Sequence, residues 1–237
     1  MIHEPRPTAT PAGLTRRTVL RHVGTLLLAA MAGCSPPPLS TPADEQPQTA
    51  TAPAPGSDRK PRALLAYFSR PGENYHDGGR RNLEVGNTEV VARLIADRLD
   101  ADTYQVEAAE PYPFSYDDTV ERNRREQQQD ARPALATPPP ALEGYDVVLL
   151  GSPVWNVGAP MIMHTLLEQW DLRGRTILPF VTYAVSGMGR VAEEYATLAP
   201  AATIGEGLAV QGEEAAQATD DVSTWLRRVG PMLQSSR

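Results

Sequence analysis

Three short segments of this 237-residue chain combine residue types that suit binding more than packing. The first opens with Ser69-Arg70 and closes with Gly86-Asn87-Thr88, just ahead of a helical pattern. Hydroxyl and amide donors beside a helix N-terminus can hold a phosphate without lysine, because the first helical N–H groups point outward and the helix dipole favours an anion. Asn87 or Thr88 can equally cap that helix. The second segment is Gly151-Ser152-Pro153-Val154-Trp155-Asn156-Val157-Gly158-Ala159-Pro160. Strand or helix packing does not explain a tryptophan there. Trp155 either stacks on a flat aromatic ligand or covers the end of a sheet. The third segment is Thr182-Tyr183-Ala184-Val185-Ser186-Gly187-Met188-Gly189, whose glycines let backbone approach a ligand.

Other chemistries fit less well. One cysteine excludes an internal disulfide framework and any multi-cysteine zinc or iron–sulfur site. His76 and His164, scattered and without cysteine, do not make a zinc site. No G-x-S-x-G elbow stands around Ser152 or Ser186. Asp117-Asp118 and Glu193-Glu194 read as solvated pairs. From residue 61 onward the chain carries 16 basic and 25 acidic side chains, a net of −9. That balance opposes nucleic-acid binding, which needs basic groups facing phosphates, and is compatible with basic protein partners. Arg122, Arg124 and Arg125 alternate with Glu121 and Glu126, so an RNA-binding patch is disfavoured.

The elements that must position these segments follow from periodicity. Residues 63–68 form a short apolar run ending at Ser69, which predicts a strand buried on both faces. Val90, Val91, Leu94, Ile95 and Leu99 recur at helical spacing, with Glu89 in the first turn where negative charge is favoured. Residues 103–108 read as a second strand near an edge, and 145–150 as a buried one. Pro160 suits the first turn of the next helix, which carries Ile162, Met163, Leu166, Leu167 and Trp170. Residues 176–182 form the next strand, although Pro179 removes a ladder donor. Residues 204–210 form the last strand. Val222, Trp225, Leu226 and Val229 mark the last helix, and Trp170 and Trp225 belong to the core. Residues 111–142 fit poorly. Their helical piece, 119–129, has Val120 as its only strong hydrophobe and reads as a solvated surface helix. The alternation predicts an α/β fold of right-handed βαβ units, with five parallel strands in the order 2-1-3-4-5 and helices on both faces. Ligands of such sheets bind beyond the carboxyl ends of the strands, where all three segments fall.

As an ordered set, these motifs resemble those of the flavodoxins, in particular a branch with a widened phosphate loop. Tyr67-Phe68-Ser69-Arg70 and Gly86-Asn87-Thr88 resemble the two halves of that loop, with residues 71–85 inserted between them. Gly151-Ser152-Pro153-Val154-Trp155 resembles the family's first flavin-contacting loop, and Ala159-Pro160 with Leu166-Leu167-Glu168 the helix behind it. The resemblance covers about residues 62–230. It implies a flavodoxin-like fold and FMN as cofactor. Ser69, Asn87 and Thr88 would hold the phosphate, Trp155 would lie near the isoalloxazine ring, and the 182–189 loop would contact its other side or its polar edge. Arg70, Gly86, Pro153, Val154, Asn156, Thr182, Tyr183, Ser186, Gly187 and Gly189 complete the implied cofactor set. No catalytic residue or metal ligand is implied.

The front of the chain reads as an address. Thr15-Arg16-Arg17-Thr18-Val19-Leu20-Arg21 resembles the twin-arginine signal of the Tat route. The apolar stretch after it, from Val23 to Gly33, is too short to span a bilayer, which takes about 20 residues. It ends in Met31-Ala32-Gly33-Cys34, which resembles a bacterial lipobox with Cys34 as the lipidated residue. Residues 1–33 are thus expected to be a signal peptide, 34–61 a Pro-rich disordered tether, and 62–237 a flavodoxin-like domain. The expected protein is an FMN-binding redox carrier, lipid-anchored on the outer face of the bacterial cytoplasmic membrane, or periplasmic or extracellular without lipidation. It would exchange electrons with a redox partner protein or a membrane quinol. The alternatives are an FMN-dependent quinone or small-molecule reductase and a flavin-free ligand-binding scaffold of the same fold.

Overall fold

The computed structural model describes residues 62–234. The expected signal peptide, Cys34 and the tether lie outside the described residues. Strand β1 (Ala63–Phe68) is buried along its whole length, as its apolar run requires. Its side chains alternate between two cores. Leu64, Ala66 and Phe68 join one, with Val148, Leu150, Ile177 and Val181. Ala63, Leu65 and Tyr67 join the other, with Val147, Leu149, Leu178 and Phe180. Helices must therefore cover both faces. On the first face lie α3 (Met161–Gln169) and α4 (Val191–Leu198), through residues such as Ile162, Leu166, Val191 and Tyr195. On the second lie α1 (Asn87–Ala96) and α5 (Thr219–Val229), through Val91, Ile95, Val222 and Trp225. Trp170 and Trp225 are both buried, and each indole N–H donates to a backbone carbonyl, of Pro140 and Glu206 respectively (both 2.9 Å). Among the described residues no helix is long and apolar enough to cross a membrane.

The other sheet strands are β4 (Ala101–Val106), β5 (Val147–Pro153), β6 (Thr176–Tyr183), and a fifth strand in two pieces, β7 (Thr203–Ile204) and β8 (Leu208–Gln211). All pairs are parallel, in the order β4-β1-β5-β6 with both β7 and β8 beyond β6. This is the expected order 2-1-3-4-5, with β4 at the edge. The sequence reading made the fifth strand continuous; it is broken, and Pro179 accounts for the break. Thr176 N–H donates to Asp146 O (3.0 Å) and Thr182 O accepts Val154 N–H (2.8 Å), so the even-numbered residues of β6 face β5. Ile177 O accepts Gly205 N–H (2.8 Å), so the odd-numbered ones, Pro179 among them, face the fifth strand. The missing proline donor therefore lies opposite the gap between β7 and β8.

Two regions differ from the expectation. Residues 71–85 contain an antiparallel hairpin, β2 (Gly72–His76) and β3 (Gly79–Leu83). Its turn is Asp77-Gly78, with φ of 47° and 79°. Positive φ at both central residues is the type I′ turn that Asp-Gly favours. Helix α2 (Tyr116–Gln128) begins three residues earlier than the periodicity suggested, and Ser115 caps it by accepting Asp118 N–H. It is not simply solvated. Val120 is exposed, while Thr119, Asn123 and Glu126 are buried. Glu126 accepts hydrogen bonds from Tyr112 OH (2.9 Å) and Arg122 Nε (2.7 Å), and the Arg122 guanidinium lies 4.0 Å from the Tyr112 ring centroid. The carboxylate and burial together push the Tyr112 hydroxyl pKa up, with burial the larger cause. Arg125 pairs with Glu121 at 3.5 Å, so much of the helix's positive charge is already matched.

Candidate functional site

The carboxyl ends of β1, β5, β6 and β8 converge on an open cleft. Its first wall is built at the start of α1. The sequence offered Asn87 or Thr88 as the cap. Instead Gly86 occupies the cap position without a side-chain bond, and Ser69 Oγ, brought over from the end of β1, accepts the Glu89 N–H (3.1 Å). The N–H groups of Asn87 and Thr88 are left open, as the first amides of a helix are. Gly86 has no room for a side chain. A Cβ there would overlap Ser69 Oγ and lie 2.6 Å from the Arg70 carbonyl oxygen.

Thr88 and Thr182 are 1 % and 4 % exposed, and their hydroxyl oxygens are 2.7 Å apart. One donates to the other, so one of the two hydroxyl protons remains uncommitted, and both residues line the cleft. Arg70 lines it too, but its guanidinium is mostly engaged. Nη1 donates to the carbonyls of Pro71, Pro113 and Phe114 (3.1, 2.9 and 3.1 Å), and Nη2 to that of Glu73. Its Nε–H is buried without a partner. Burial also lowers the Arg70 pKa, since the cation is largely removed from water.

The second wall is Pro153, Val154 and Trp155. The Trp155 ring meets Phe68 and Tyr112 nearly edge-on, at centroid distances of 5.5 and 5.1 Å. It thus closes the sheet end and borders the cleft at once. After it the chain turns tightly: Trp155 and Gly158 exchange N–H···O bonds of 2.9 and 3.1 Å, with Asn156 and Val157 at φ of 49° and 65°. Behind the turn, Glu194 Oε2 accepts the Ala159 N–H (2.8 Å). Burial raises the Glu194 pKa. The nearby His164 ring, 3.9 Å away, the hydrogen bond from the Ala159 amide and the charge of Arg190 outweigh that and leave it below the ordinary glutamate value.

Thr182, Tyr183 and Ala184 form the third wall. Gly86, Asn156, Ser186, Gly187 and Gly189 do not line the cleft. Asn156 is bonded to Gln127, and Gly189 lies against the Val157 carbonyl, where a side chain would collide. Sequence reasoning missed Asn74, Tyr75, Tyr116, Gly212 and Glu213, which do line it. The hairpin brings the first two. It docks on the start of α2 through Glu73, whose N–H donates to Phe114 O (2.9 Å) and whose carboxylate accepts the Tyr116 N–H (3.0 Å). Arg80 adds contacts to Asp117 (3.3 Å) and to the Tyr116 ring (3.7 Å to its centroid). At the tip, Asp77 N–H donates to Glu213 Oε1 (2.9 Å). The Asp-Gly turn was the one sequence signal for this arm. Ser152 is fully buried and accepts from Tyr195 OH (3.2 Å), so it is no exposed nucleophile.

Comparison with known proteins places this geometry. The family model for flavodoxin matches residues 83–229, more than half of the chain. The chain belongs to the flavodoxin family. A flavoprotein from Bacteroides uniformis is 27 % identical, with a TM-score of 0.57 over 71 % of this chain and 99 % of that one. A second, from Bacteroides eggerthii, is 25 % identical, with a TM-score of 0.56 over 71 % and 98 %. A flavoprotein from Lactobacillus acidophilus, solved in complex with FMN, shares the fold at 19 % identity, with a TM-score of 0.51 over 69 % of this chain and 99 % of that one. No curated protein matches. The cleft of this flavodoxin-family chain thus lies beyond the carboxyl ends of its strands, where sheets of this topology take their ligands.

Proposed function

We propose that this chain is an FMN-binding redox protein that transfers electrons at the cell envelope. The observation that carries the reading is a cleft with anion donors on one wall and an aromatic ring on the next. The open amides of Asn87 and Thr88 and the uncommitted proton of the Thr88–Thr182 pair suit a phosphate or another acceptor-rich group. Ser69, Asn87 and Thr88 would hold the phosphate, while Trp155 and the Thr182–Tyr183 edge would flank the ring. Gly86, Asn156, Ser186, Gly187 and Gly189 would act by shaping the loops. FMN, once bound, supplies one- and two-electron transfer, and the protein supplies position and electrostatics.

The titration that tests this adds FMN to the purified protein, removes the excess and records the visible spectrum. Retained flavin absorption is expected. A colourless protein would refute the reading and leave a ligand-binding scaffold of the same fold.

We also propose that residues 71–85 are an insertion into the phosphate loop, as in the branch where that loop is widened. The same insertion favours a second function, an FMN-dependent quinone or small-molecule reductase, because its Tyr75 joins Tyr116 and Tyr183 around the cleft, a suitable lining for a flat acceptor. Rapid turnover with a soluble quinone would select it over the carrier. The acidic body suits docking to a basic partner protein, and a membrane quinol is the other donor we propose. Export would follow the Tat route, with the protein folded and loaded beforehand, and Cys34 would carry the lipid anchor. Replacing Arg16 and Arg17 with lysine is expected to leave the protein in the cytoplasm; unchanged export would exclude that route.

A further inference from the structure

The turn from Trp155 to Gly158 is built against its own backbone preference. Asn156 tolerates a left-handed φ, but Val157, β-branched and at φ 65°, does not. Such a conformation persists only where its surroundings over-determine it. Three outside contacts hold this one. The Arg190 N–H donates to Val157 O (2.7 Å), and Glu194 holds the Ala159 N–H (2.8 Å). The third comes from α2. Gln127 Nε2 donates to Trp155 O (3.3 Å), and Gln127 Oε1 accepts Asn156 Nδ2 (2.8 Å), so one side chain grips two successive residues of the turn.

Helix α2 has little apolar reason to lie where it does, since Val120, its only strong hydrophobe, is exposed. The grip on the turn gives it one. We propose that Gln127 is a positioning residue that holds the Trp155–Gly158 turn, and with it the Trp155 ring, in the geometry that receives the flavin. The receiving half of this statement rests on the FMN reading above; the grip itself does not.

The test uses the purified full chain. Gln127→Met keeps the side-chain length and removes both hydrogen bonds. Amide exchange in the flavin-free protein reads the grip, at the Gly158 and Arg190 N–H groups, and FMN affinity reads the positioning. Two hydrogen bonds of ordinary strength predict about tenfold faster exchange and about tenfold weaker FMN binding. Gln127→Met combined with Val157→Asn is expected to restore most of both, because asparagine accepts the left-handed conformation unaided. A merely structural role for Gln127 would not be rescued from that distance. Asn156→Gly removes one of the two hydrogen bonds, that to Gln127 Oε1, from the other side without touching α2. It should act less than additively with Gln127→Met. Wild-type exchange and wild-type affinity in the Gln127→Met and Asn156→Gly proteins would overturn the proposal, as would faster exchange with unchanged affinity. If the wild-type chain takes up no FMN, the flavin reading fails instead, and the exchange rates alone decide the grip.

Discussion

Replacing Thr88 and Thr182 by valine, singly and together, should move stability and FMN affinity in opposite orders. The two hydroxyls are 2.7 Å apart and almost fully buried. Valine has the same shape, so each single substitution leaves the other hydroxyl without its partner. An unsatisfied buried hydroxyl costs about 1–3 kcal/mol. Removing both leaves methyl groups in contact, and replacing both partners by apolar groups of the same shape is nearly neutral. The double variant should therefore be more stable than either single one, with a coupling of about 2 kcal/mol or more. Ligand donation runs the other way. The pair holds two protons and uses one internally. Each single variant still offers one proton to the cleft, and the double variant offers none. Loss of a donor to a charged acceptor weakens binding by about 10–100-fold. Urea unfolding of the flavin-free protein reads the first quantity by linear extrapolation, and FMN titration the second. Destabilisations that simply add in the double variant would show that the hydroxyls are not paired. A double variant that binds FMN like the wild type would show that the pair does not face the cofactor.

Two further outcomes follow from the geometry around the cleft. Gly86→Ala places a Cβ 2.6 Å from the Arg70 carbonyl oxygen, a backbone atom that cannot rotate away. Overpacking of this kind costs about 1–3 kcal/mol, at about 2–4 °C in Tm per kcal/mol, and thermal unfolding would show it. Glu194 titrates below the ordinary 4.5 in the folded protein. A depressed folded pKa stabilises the fold above the unfolded value and loses that contribution as pH falls through the folded one. Glu194→Gln should therefore flatten the fall in stability below about pH 4.5 while changing its pH dependence little near pH 7, as measured by urea midpoints across the acid range.

The sheet was legible because each of its strands is decided by a few neighbours in sequence. The apolar run 63–68 is the strand observed, residue for residue, and its alternation between two cores required helices on both faces. Even Pro179, which spoke against its strand, marks the gap in the neighbouring one. The second strand was displaced by two residues, because Ala101 and Asp102 lack the apolar signal that pairing with β1 supplies. Helix α4 went unnoticed. It is eight residues long, and only Val191 and Tyr195 bury a side chain. The hairpin had an Asp-Gly turn but no apolar alternation, since its β3 strand is largely exposed.

What the sequence hid about the site has one physical cause. Helix α2 buries Thr119, Asn123 and Glu126, positions at the helical spacing of a core-facing stripe. A hydropathy pattern reads such a stripe as solvated because its chemistry is polar, yet its partners are Tyr112, Arg122 and the Pro113 carbonyl within the protein. The cap of α1 shows the same rule. Asn87 and Thr88 have the right types and places for a cap, but Ser69, twenty residues away, takes the amide, which leaves the cleft its two open donors. Apolar surface is indifferent to which partner covers it, so local periodicity is enough to predict that it will be covered. A buried hydroxyl or amide needs one particular partner at one distance. The polar part of this site is accordingly set by pairs far apart in sequence, such as Asp77 with Glu213 and Thr88 with Thr182. The residue types in the three loops could say that a ligand site was there, but only the fold could say which donors remain free to serve it.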